Sequence, residues 1–375
     1  MTINDPTPAE RARRLHRDSL VFDGHADTLL DVLDAGHTID KAPPNYHVDL
    51  ERMERGGLDA EFFTAFVDPA FLPRARDRAA ALVETLHAQA ALFPDRLSVT
   101  TTAEAVEAAH AAGRRAAVPA IEGGHAIEDS LDALRQFQAR GVRLMTLTWN
   151  NSNNWADGCL PGPDDPRHGG LTDFGRRVIS EMERLGIIVD ISHASPETFL
   201  DVERIATKPF VASHSCAAAL NPHFRNLADE QLRAIARHGG LVGVCFASAF
   251  LVDELGSWRE LKETAEYAAL PEKSDHIYPD YMPGPEADLY RRRVPLATLE
   301  DVFRHVDHLV SVMGADHVAL GTDFDGIKRL PVGIRDAADL PKVTEGLVAR
   351  GYDDAAIHGI LGGNWLRVLR EVAGS

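Results

Sequence analysis

DFGRRVISEMERLGIIVDISHAS, residues 173–195, contains a helix followed directly by a strand. The first part, up to Gly186, has apolar residues at helical spacing, and GIIVDISHAS (186–195) is a short apolar run rich in β-branched residues. A helix followed by such a run is typical of chains that alternate helices with parallel strands. The run ends at His193, a residue type that often binds metal ions.

Apolar runs of this kind occur eight times along the chain, with stretches of helical period such as 74–93 and 298–314 between them. The runs are LVFDGHAD (20–27), LDAEFFTAFV (58–67), AAVPAIEGG (116–124), RLMTLTWN (143–150), GIIVDISHAS (186–195), KPFVASHS (208–215), GLVGVCFASAF (240–250) and HVALGTDFDG (317–326). Eight such units predict an α/β fold, a closed (β/α)8 TIM-type barrel. We expect it to form one domain over residues 1–375, with 1–18 as a short lead-in.

Two long connections interrupt the alternation of runs and helices. Segment 150–172, after the fourth run, is rich in Asn, Gly and Pro, and segment 251–296 follows the seventh. Long loops on a compact domain usually carry function, so we expect both to lie beside the active site.

Composition and charge exclude several classes of protein. The chain of 375 residues is 45% hydrophobic and 26% charged, which excludes extended disorder. Its formal charge of −18 argues against a nucleic-acid or membrane-surface partner. Cys159, Cys216 and Cys245 form no C-x-x-C pair, and no targeting or membrane-spanning segment is evident. We therefore expect a cytoplasmic protein, with a homodimer as an open alternative.

Five of the eight runs end in ionisable residues that can bind metals: His25, Asp27, Glu122, His193, His214 and Asp323. In a barrel the carboxyl ends of all strands lie on one face, where the active site is built. Three histidines and three carboxylates without cysteine suit zinc, and they exceed what one tetrahedral catalytic ion requires. The pattern therefore predicts two ions that share a bridging carboxylate.

Other polar clusters favour structural roles. GTDFDG (321–326) lacks the remaining ligands of a calcium loop, and His305 and His308 are predicted to lie on a solvated helix face. His125 is an alternative residue for contact with the metal ligands. Without a G-x-S-x-G motif, a serine hydrolase is not indicated.

The motifs VFDGHADTLLDV, PAIEGG, IIVDISHAS, FVASHS with FRN downstream, and LGTDFDG together resemble the membrane (renal) dipeptidase family of zinc peptidases, from about residue 20 to the C-terminal helix. The resemblance implies an amidohydrolase-type barrel that binds two zinc ions and hydrolyses dipeptides through a hydroxide between the ions. We expect it to tolerate a D residue at the C-terminal position.

The resemblance also implies a role for each matching residue. His25 and Asp27 would bind the first ion, His193 and His214 the second, and Glu122 both. Asp323 would act as the acid/base, and Arg225 would hold the substrate's terminal carboxylate.

The chain departs from the family at two places. Where the family often has a histidine after the fourth strand, this chain has Trp149. Stabilisation of the oxyanion that forms at the substrate carbonyl is therefore expected to come from zinc, from Trp149 or from a neighbour such as Asn150. After the seventh strand, Cys245, Phe246 and Ala247 replace a frequent Asn-Phe-Tyr pattern. These differences concern substrate preference more than the reaction.

Two other classes of function stay open at this stage. A related barrel chemistry on lactones, phosphoesters or amines would use a similar site, and the position of Arg225 would distinguish it. A binding protein that has lost catalysis is the other alternative, and metal analysis would identify it.

Overall fold

A closed ring of eight parallel strands forms the centre of the molecule, in a computed structural model that describes residues 6–274, 276–281 and 283–374. The eight strands of the ring and one further strand, β3, are β1 (Val21–Ala26), β2 (Leu58–Phe66), β3 (Leu97–Val99), β4 (Arg115–Glu122), β5 (Leu144–Thr146), β6 (Ile188–Asp190), β7 (Phe210–Ser215), β8 (Val242–Val244) and β9 (Val318–Leu320). The ring runs β1-β2-β4-β5-β6-β7-β8-β9 and closes between β9 and β1. The predicted (β/α)8 barrel is confirmed.

Helices connect and surround the strands. They are α1 (Pro8–Asp18), α2 (Thr28–Ala35), α3 (Leu50–Gly56), α4 (Ala75–Leu92), α5 (Ala103–Ala111), α6 (Leu131–Ala139), α7 (Asp173–Leu185), α8 (Pro196–Ile205), α9 (Asp229–Arg237), α10 (Ser248–Leu251), α11 (Glu254–Lys262), α12 (Ala265–Ala268), α13 (Pro285–Arg293), α14 (Leu299–Met313), α15 (Pro341–Ala349), α16 (Asp354–His358) and α17 (Asn364–Ala373). Short 3₁₀ turns at Pro69–Phe71, Gly124–Ile127, Pro279–Tyr281, Ala315–His317 and Ala337–Asp339, and a π turn at Gly359–Gly363, complete the described elements.

Local sequence signals set many of these boundaries. The Thr172 side chain caps the amino end of α7 by accepting a hydrogen bond from the Gly175 amide, and Gly186 ends the helix in the left-handed conformation at φ 71°. The terminal glycine places the chain directly into β6. The helix-and-strand unit predicted at 173–195 therefore forms as the sequence indicates.

The barrel interior is apolar below the strand ends. One buried cluster takes residues from all the barrel strands or their immediate flanks, and it includes Phe22, Phe62, Val118 and Leu144. Trp365 of α17 belongs to this cluster, is fully buried, and donates its indole N–H to the Leu320 carbonyl at 2.8 Å. Because this lower part is filled by side chains, the open part of the barrel lies at its carboxyl end.

The structure adds two features to the predicted fold. A ninth strand, β3, pairs with Arg115–Ala117 at the beginning of β4 and lies outside the ring. Segment 251–296, predicted as a long loop, contains helices α11, α12 and α13. Among the described residues, every helix is too short or too polar to cross a membrane.

Candidate metal centre

The six predicted ligand-type residues converge at the carboxyl end of the barrel. His25, Glu122 and His214 lie in the last two residues of β1, β4 and β7. Asp27 directly follows β1, and His193 and Asp323 lie three residues after the ends of β6 and β9. All six side chains are buried, with His25 fully inaccessible and Asp323 only 7% exposed. Residues about 300 positions apart in the chain thus form one site.

The two carboxylate oxygens of Glu122 face two different groups of nitrogen atoms. Oε2 lies 3.4 Å from Nε2 of His25. Oε1 lies 2.7 Å from Nε2 of His193 and 3.6 Å from Nε2 of His214. The two nitrogens on the Oε1 side are 3.0 Å apart. Glu122 therefore lies between two sets of potential ligand atoms.

A second carboxylate group lies on the His25 side. Ligand atoms of His25, Asp27 and Asp323 all lie within 4.8 Å of one another, as do those of His25, Glu122 and His214. His25 Nε2 and Asp27 Oδ1 are buried without a hydrogen-bond partner. Buried polar atoms are rarely left unpaired, so these orphaned atoms fit a cation that would complete them. Nitrogen and oxygen donors without sulfur suit zinc.

Burial and charge set the protonation of the imidazoles. Burial lowers the pKa of His193 to about 3, with Arg225 adding to the effect, and burial also lowers the pKa of His214. Both rings are therefore neutral at pH 7, which is the form that binds metals. Burial alone would raise the pKa of Glu122, but the facing imidazoles of His25 and His193 lower it below its ordinary value.

Asp323 combines backbone strain with a shifted pKa. It has φ 63°, and its amide donates to the His25 carbonyl at 3.1 Å, which joins the ends of β9 and β1. Burial raises the pKa of its carboxyl to about 8. His193 also has a positive φ, of 68°. Such backbone conformations in non-glycine residues concentrate at functional sites.

Each imidazole is oriented by a polar side chain on its second nitrogen. Nδ1 of His193 lies 2.8 Å from Oδ1 of Asn150, and Nδ1 of His214 lies 2.8 Å from the Ser213 hydroxyl. Nδ1 of His25 is 3.4 Å from the Thr64 hydroxyl. Because an amide oxygen can only accept, Nδ1 of His193 donates its hydrogen to Asn150, and in the neutral ring Nε2 is left with a free lone pair for a cation. The sequence predicts only a contact with substrate for Asn150, whereas the structure places it against a ligand-type histidine.

Arg225 lies beside the centre rather than on the outer surface. It is 4% exposed, its Nη2 donates to the His214 carbonyl at 3.1 Å, and its guanidinium lies 5.3 Å from the centre of the Phe250 ring. Its Nε is buried without a partner. His223 supports it by accepting the Arg225 amide hydrogen at Nδ1, and the Tyr278 hydroxyl contacts Nε2 of His223.

Trp149 lies at the other side of the centre. Its ring is 5.3 Å from that of Phe66 at the end of β2 and 6.1 Å from that of His193. Trp149, Phe66 and Arg225 line one cavity of about 550 Å³ together with five of the six ligand-type residues, Asp27, Glu122, His193, His214 and Asp323. A cavity of this size accepts a small organic ligand.

Several residues of the site were missed because their types are not those of ligands. Phe66 is apolar, although its place at a strand end could have marked it, and Tyr278 comes from segment 251–296. His125 contacts the Val67 carbonyl at 2.8 Å instead of a metal ligand.

The prediction that His305 lies on a solvated helix face is wrong. His305 is 1% exposed and accepts the Ala217 amide hydrogen at 3.0 Å. It packs inward because its ring joins α14 to the loop after β7. Its neighbour His308 is partly exposed and contacts Asp229 at 2.8 Å.

Comparisons with known proteins identify the family of this chain. The model of the membrane dipeptidase family, peptidase family M19, matches residues 9–374. Dipeptidase aclJ of Aspergillus oryzae is 32% identical over 335 residues, covering 87% of this chain and 70% of that protein. The crystal structure of the probable dipeptidase PvdM from Pseudomonas aeruginosa is similar with a TM-score of 0.86 and 27% identity over 98% of both chains.

A metallopeptidase from Rhodobacter sphaeroides, whose crystal structure contains a phosphinate mimic of the dipeptide L-Ala-D-Ala, has a TM-score of 0.78. It is 31% identical, and the match covers 95% of this chain and 100% of that chain. Together with the match to the family model, these similarities show that the chain belongs to the membrane dipeptidase family and is a metallo-dipeptidase.

Proposed function

We propose that this enzyme hydrolyses dipeptides with two zinc ions held at the carboxyl end of the barrel, and that it accepts a D residue at the C-terminal position. The observation that carries the proposal is the placement of Glu122, whose two oxygens face His25 on one side and His193 and His214 on the other. One ion would take His25 and Asp27, the other His193 and His214, and Glu122 would serve both. When bound, zinc supplies a nucleophile by lowering the pKa of water to about 7 and polarises the scissile carbonyl.

The protein's own groups would provide the proton transfer. Asp323 lies within the same ligand group as His25 and Asp27, and its buried carboxyl lines the cavity. A carboxyl within hydrogen-bond reach of the reacting water can accept a proton and release it again. We assign Asp323 the role of accepting a proton from water and delivering it to the leaving amine.

Arg225 would select substrates with a free carboxylate. Its buried guanidinium has an Nε without a partner and lines the cavity beside His214. An arginine in a dry pocket binds a carboxylate strongly through charge-assisted hydrogen bonds. This arrangement favours a dipeptidase over an enzyme for lactones or phosphoesters.

Acceptance of a C-terminal D residue is supported by the Rhodobacter sphaeroides metallopeptidase, which binds a mimic of L-Ala-D-Ala. We expect hydrolysis of both L-Ala-D-Ala and L-Ala-L-Ala by the zinc-loaded protein. Cleavage of the L,L substrate alone would contradict the stereochemical part of the proposal and leave the dipeptidase activity intact.

The carboxylate role of Arg225 can be tested with a substrate and a variant. Converting the dipeptide terminus to an amide should lower kcat/KM. The loss of transition-state stabilisation calculated from this decrease should be about 2 to 5 kcal/mol, the scale for breaking a desolvated charge pair. Arg225→Met should cause a comparable loss on the free acid. Because both changes remove the same contact, their effects should not add. Equal hydrolysis of acid and amide by the unaltered enzyme would exclude this role.

A further inference from the structure

We infer that Trp149, packed on Phe66, forms the subsite for the side chain of the substrate's first residue, and that the enzyme prefers dipeptides that begin with a large apolar residue. The inference rests on the proposed dipeptidase function and adds a substrate class to it. Two features of the site support it: the orientation that Arg225 imposes on a bound dipeptide, and the residues that line the cavity beside the dipeptide's amino end.

The position of Arg225 sets the direction of the dipeptide. Its side chain contacts the end of β7 and lies over Phe250, which follows β8, so the terminal carboxylate belongs on the β7–β8 side of the barrel. The scissile carbonyl must lie at the ligand group around Glu122. The first residue of the dipeptide then extends past this group, away from Arg225.

Phe66 stands on that far side, and the Trp149 ring packs against it. In the ring order, β2 and β4 lie opposite β7 and β8, whereas β5 is separated from β7 by β6. Phe66 ends β2, and Trp149 follows β5. The two rings contact each other at 5.3 Å, and both line the cavity, as does Leu160, whose amide donates to the Asn150 carbonyl at 2.9 Å.

Distance places this wall within reach of the first side chain. The Cβ of the first residue is two bonds from the scissile carbonyl carbon, so its side chain begins beside the metal ligands. The Trp149 ring lies 6.1 Å from the ring of His193, one of those ligands. A long side chain that leaves the backbone on this side therefore meets the indole face.

The chemistry of the wall favours apolar and aromatic side chains. Indole stays neutral at every working pH and offers a large apolar face with one N–H. Stacked or tilted aromatic contacts also add to the gain from burial. A glycine in the first position would leave this surface in contact with water. The exposed carboxylate of Asp68, two residues after Phe66, also lines the cavity.

The test compares kcat/KM for L-Phe-L-Ala, L-Lys-L-Ala and Gly-L-Ala on the zinc-loaded enzyme. Apolar pockets discriminate by roughly 10 to 200-fold per group, so we expect L-Phe-L-Ala to exceed Gly-L-Ala by about tenfold or more. Trp149→Ala should reduce this ratio about tenfold at unchanged zinc content, and Trp149→Leu should reduce it less. Trp149→Phe should keep it, because a ring remains.

Phe71→Ala is the matched control, because Phe71 lies in the turn after β2, is 42% exposed, and is not among the residues that line the cavity. In Phe71→Ala, the ratio of kcat/KM for L-Phe-L-Ala to that for Gly-L-Ala should equal the ratio in the unaltered enzyme.

Equal kcat/KM on L-Phe-L-Ala and Gly-L-Ala, or a preference for L-Lys-L-Ala through Asp68, would overturn the inference while leaving the dipeptidase function. An equal loss on all three substrates in Trp149→Phe would overturn it in favour of a hydrogen-bonding role for the indole. Failure to cleave any of the three would instead contradict the proposed function.

Discussion

Glu122 shows how one residue can organise the centre. Its carboxylate ends β4, where it is 3% exposed, and the imidazoles of His25 and His193 keep it ionised by lowering its pKa despite burial. A buried anion needs compensating charge, and the neutral rings of His193 and His214 supply none. Despite burial, the carboxylates of Glu122 and Asp27 raise the pKa of His25 well above its ordinary value. The carboxylates of the site therefore favour positive charge at this position, which divalent cations would supply.

Asn150 should control metal affinity through His193. Asn150→Leu removes the acceptor of the Nδ1 hydrogen, so His193 loses the contact that fixes its tautomer and ring orientation. We expect zinc affinity, measured by competition with a chromophoric chelator, to fall about 10 to 100-fold. Asn150→Asp keeps an oxygen at this position and should retain affinity close to that of the unaltered protein.

The neighbouring Asn151 provides the control for this measurement. It also lines the cavity, but its amide donates to the Ser152 carbonyl at 3.2 Å rather than to a ligand. Asn151→Ala should therefore leave zinc affinity unchanged. Unchanged affinity in Asn150→Leu would show that His193 does not need this hydrogen bond.

Among the elements, the connection between β8 and β9 covers one side of the cavity. A buried ion pair holds it: Nε of Arg329, after β9, lies 3.1 Å from Oε2 of Glu254 at the beginning of α11. The Tyr290 hydroxyl of α13 donates to the same carboxylate oxygen at 2.7 Å. The pair and the Tyr290 hydroxyl therefore join the beginning of α11, helix α13 and the loop after β9. Its geometry indicates that α11 and α13 are fixed parts of the cavity wall.

Removing the cation of this pair should destabilise the fold. Arg329→Met leaves the carboxylate of Glu254, which is 1% exposed, without its partner, and the expected loss in the free energy of unfolding is about 3 to 5 kcal/mol. Burial already raises the pKa of Glu254, and loss of Arg329 should raise it further. A carboxyl whose pKa is raised in the folded state lowers the free energy of unfolding at high pH, where it must be ionised. The destabilisation caused by Arg329→Met should therefore decrease as pH falls and Glu254 becomes protonated.

Urea unfolding at pH 8 and pH 5 measures both effects. The double variant Glu254→Gln with Arg329→Met is the control, because it removes the charge and keeps an acceptor for Tyr290. Its loss should be smaller than that of Arg329→Met and nearly independent of pH. An equal loss for Arg329→Met at both pH values would mean that packing over the Tyr290 ring, 4.8 Å away, accounts for the effect.

For the whole molecule, sequence predicts the barrel better than the surroundings of the site. Each strand is an apolar run between helical stretches, so the eight strands and helices such as α4 and α14 follow from local patterns. The ligand-type residues could be found because the topology brings strand ends together. Their hydrogen-bond partners could not, since Asn150 meets His193 across 43 positions.

Residues whose contacts come from distant segments of the chain could not be predicted from the local sequence. The pattern around His305 contains charged neighbours typical of a solvated face, yet its ring receives the Ala217 amide hydrogen from 88 positions away. Segment 251–296 is rich in Pro and polar residues, and its helices are held partly by Arg329, which lies outside it. Short helices that depend on tertiary contacts leave a weak signal in the sequence.

Metal removal should act on the whole molecule because the centre joins the ends of β1, β4 and β7 with the loops after β6 and β9. Ions that bind only the folded state stabilise it by about 4 kcal/mol at a free concentration 1,000 times the dissociation constant. Chelation should therefore lower Tm clearly, and added zinc should restore it. Metal analysis should find two ions per chain.

The Glu122→Gln variant tests whether Glu122 is a ligand shared by two ions or a carboxylate with a structural role only. If Glu122 serves both ions, the variant should bind less metal, and the Tm difference between its zinc-loaded and chelated forms should shrink. Glu183→Gln is the control, because Glu183 is also buried but accepts the Thr207 amide hydrogen at 2.7 Å instead of facing the centre. It should lower both Tm values by the same amount and keep the metal content. One ion per chain in the unaltered protein, with no change in Glu122→Gln, would reduce Glu122 to a hydrogen-bond acceptor for His25 and His193 and would remove the two-ion proposal.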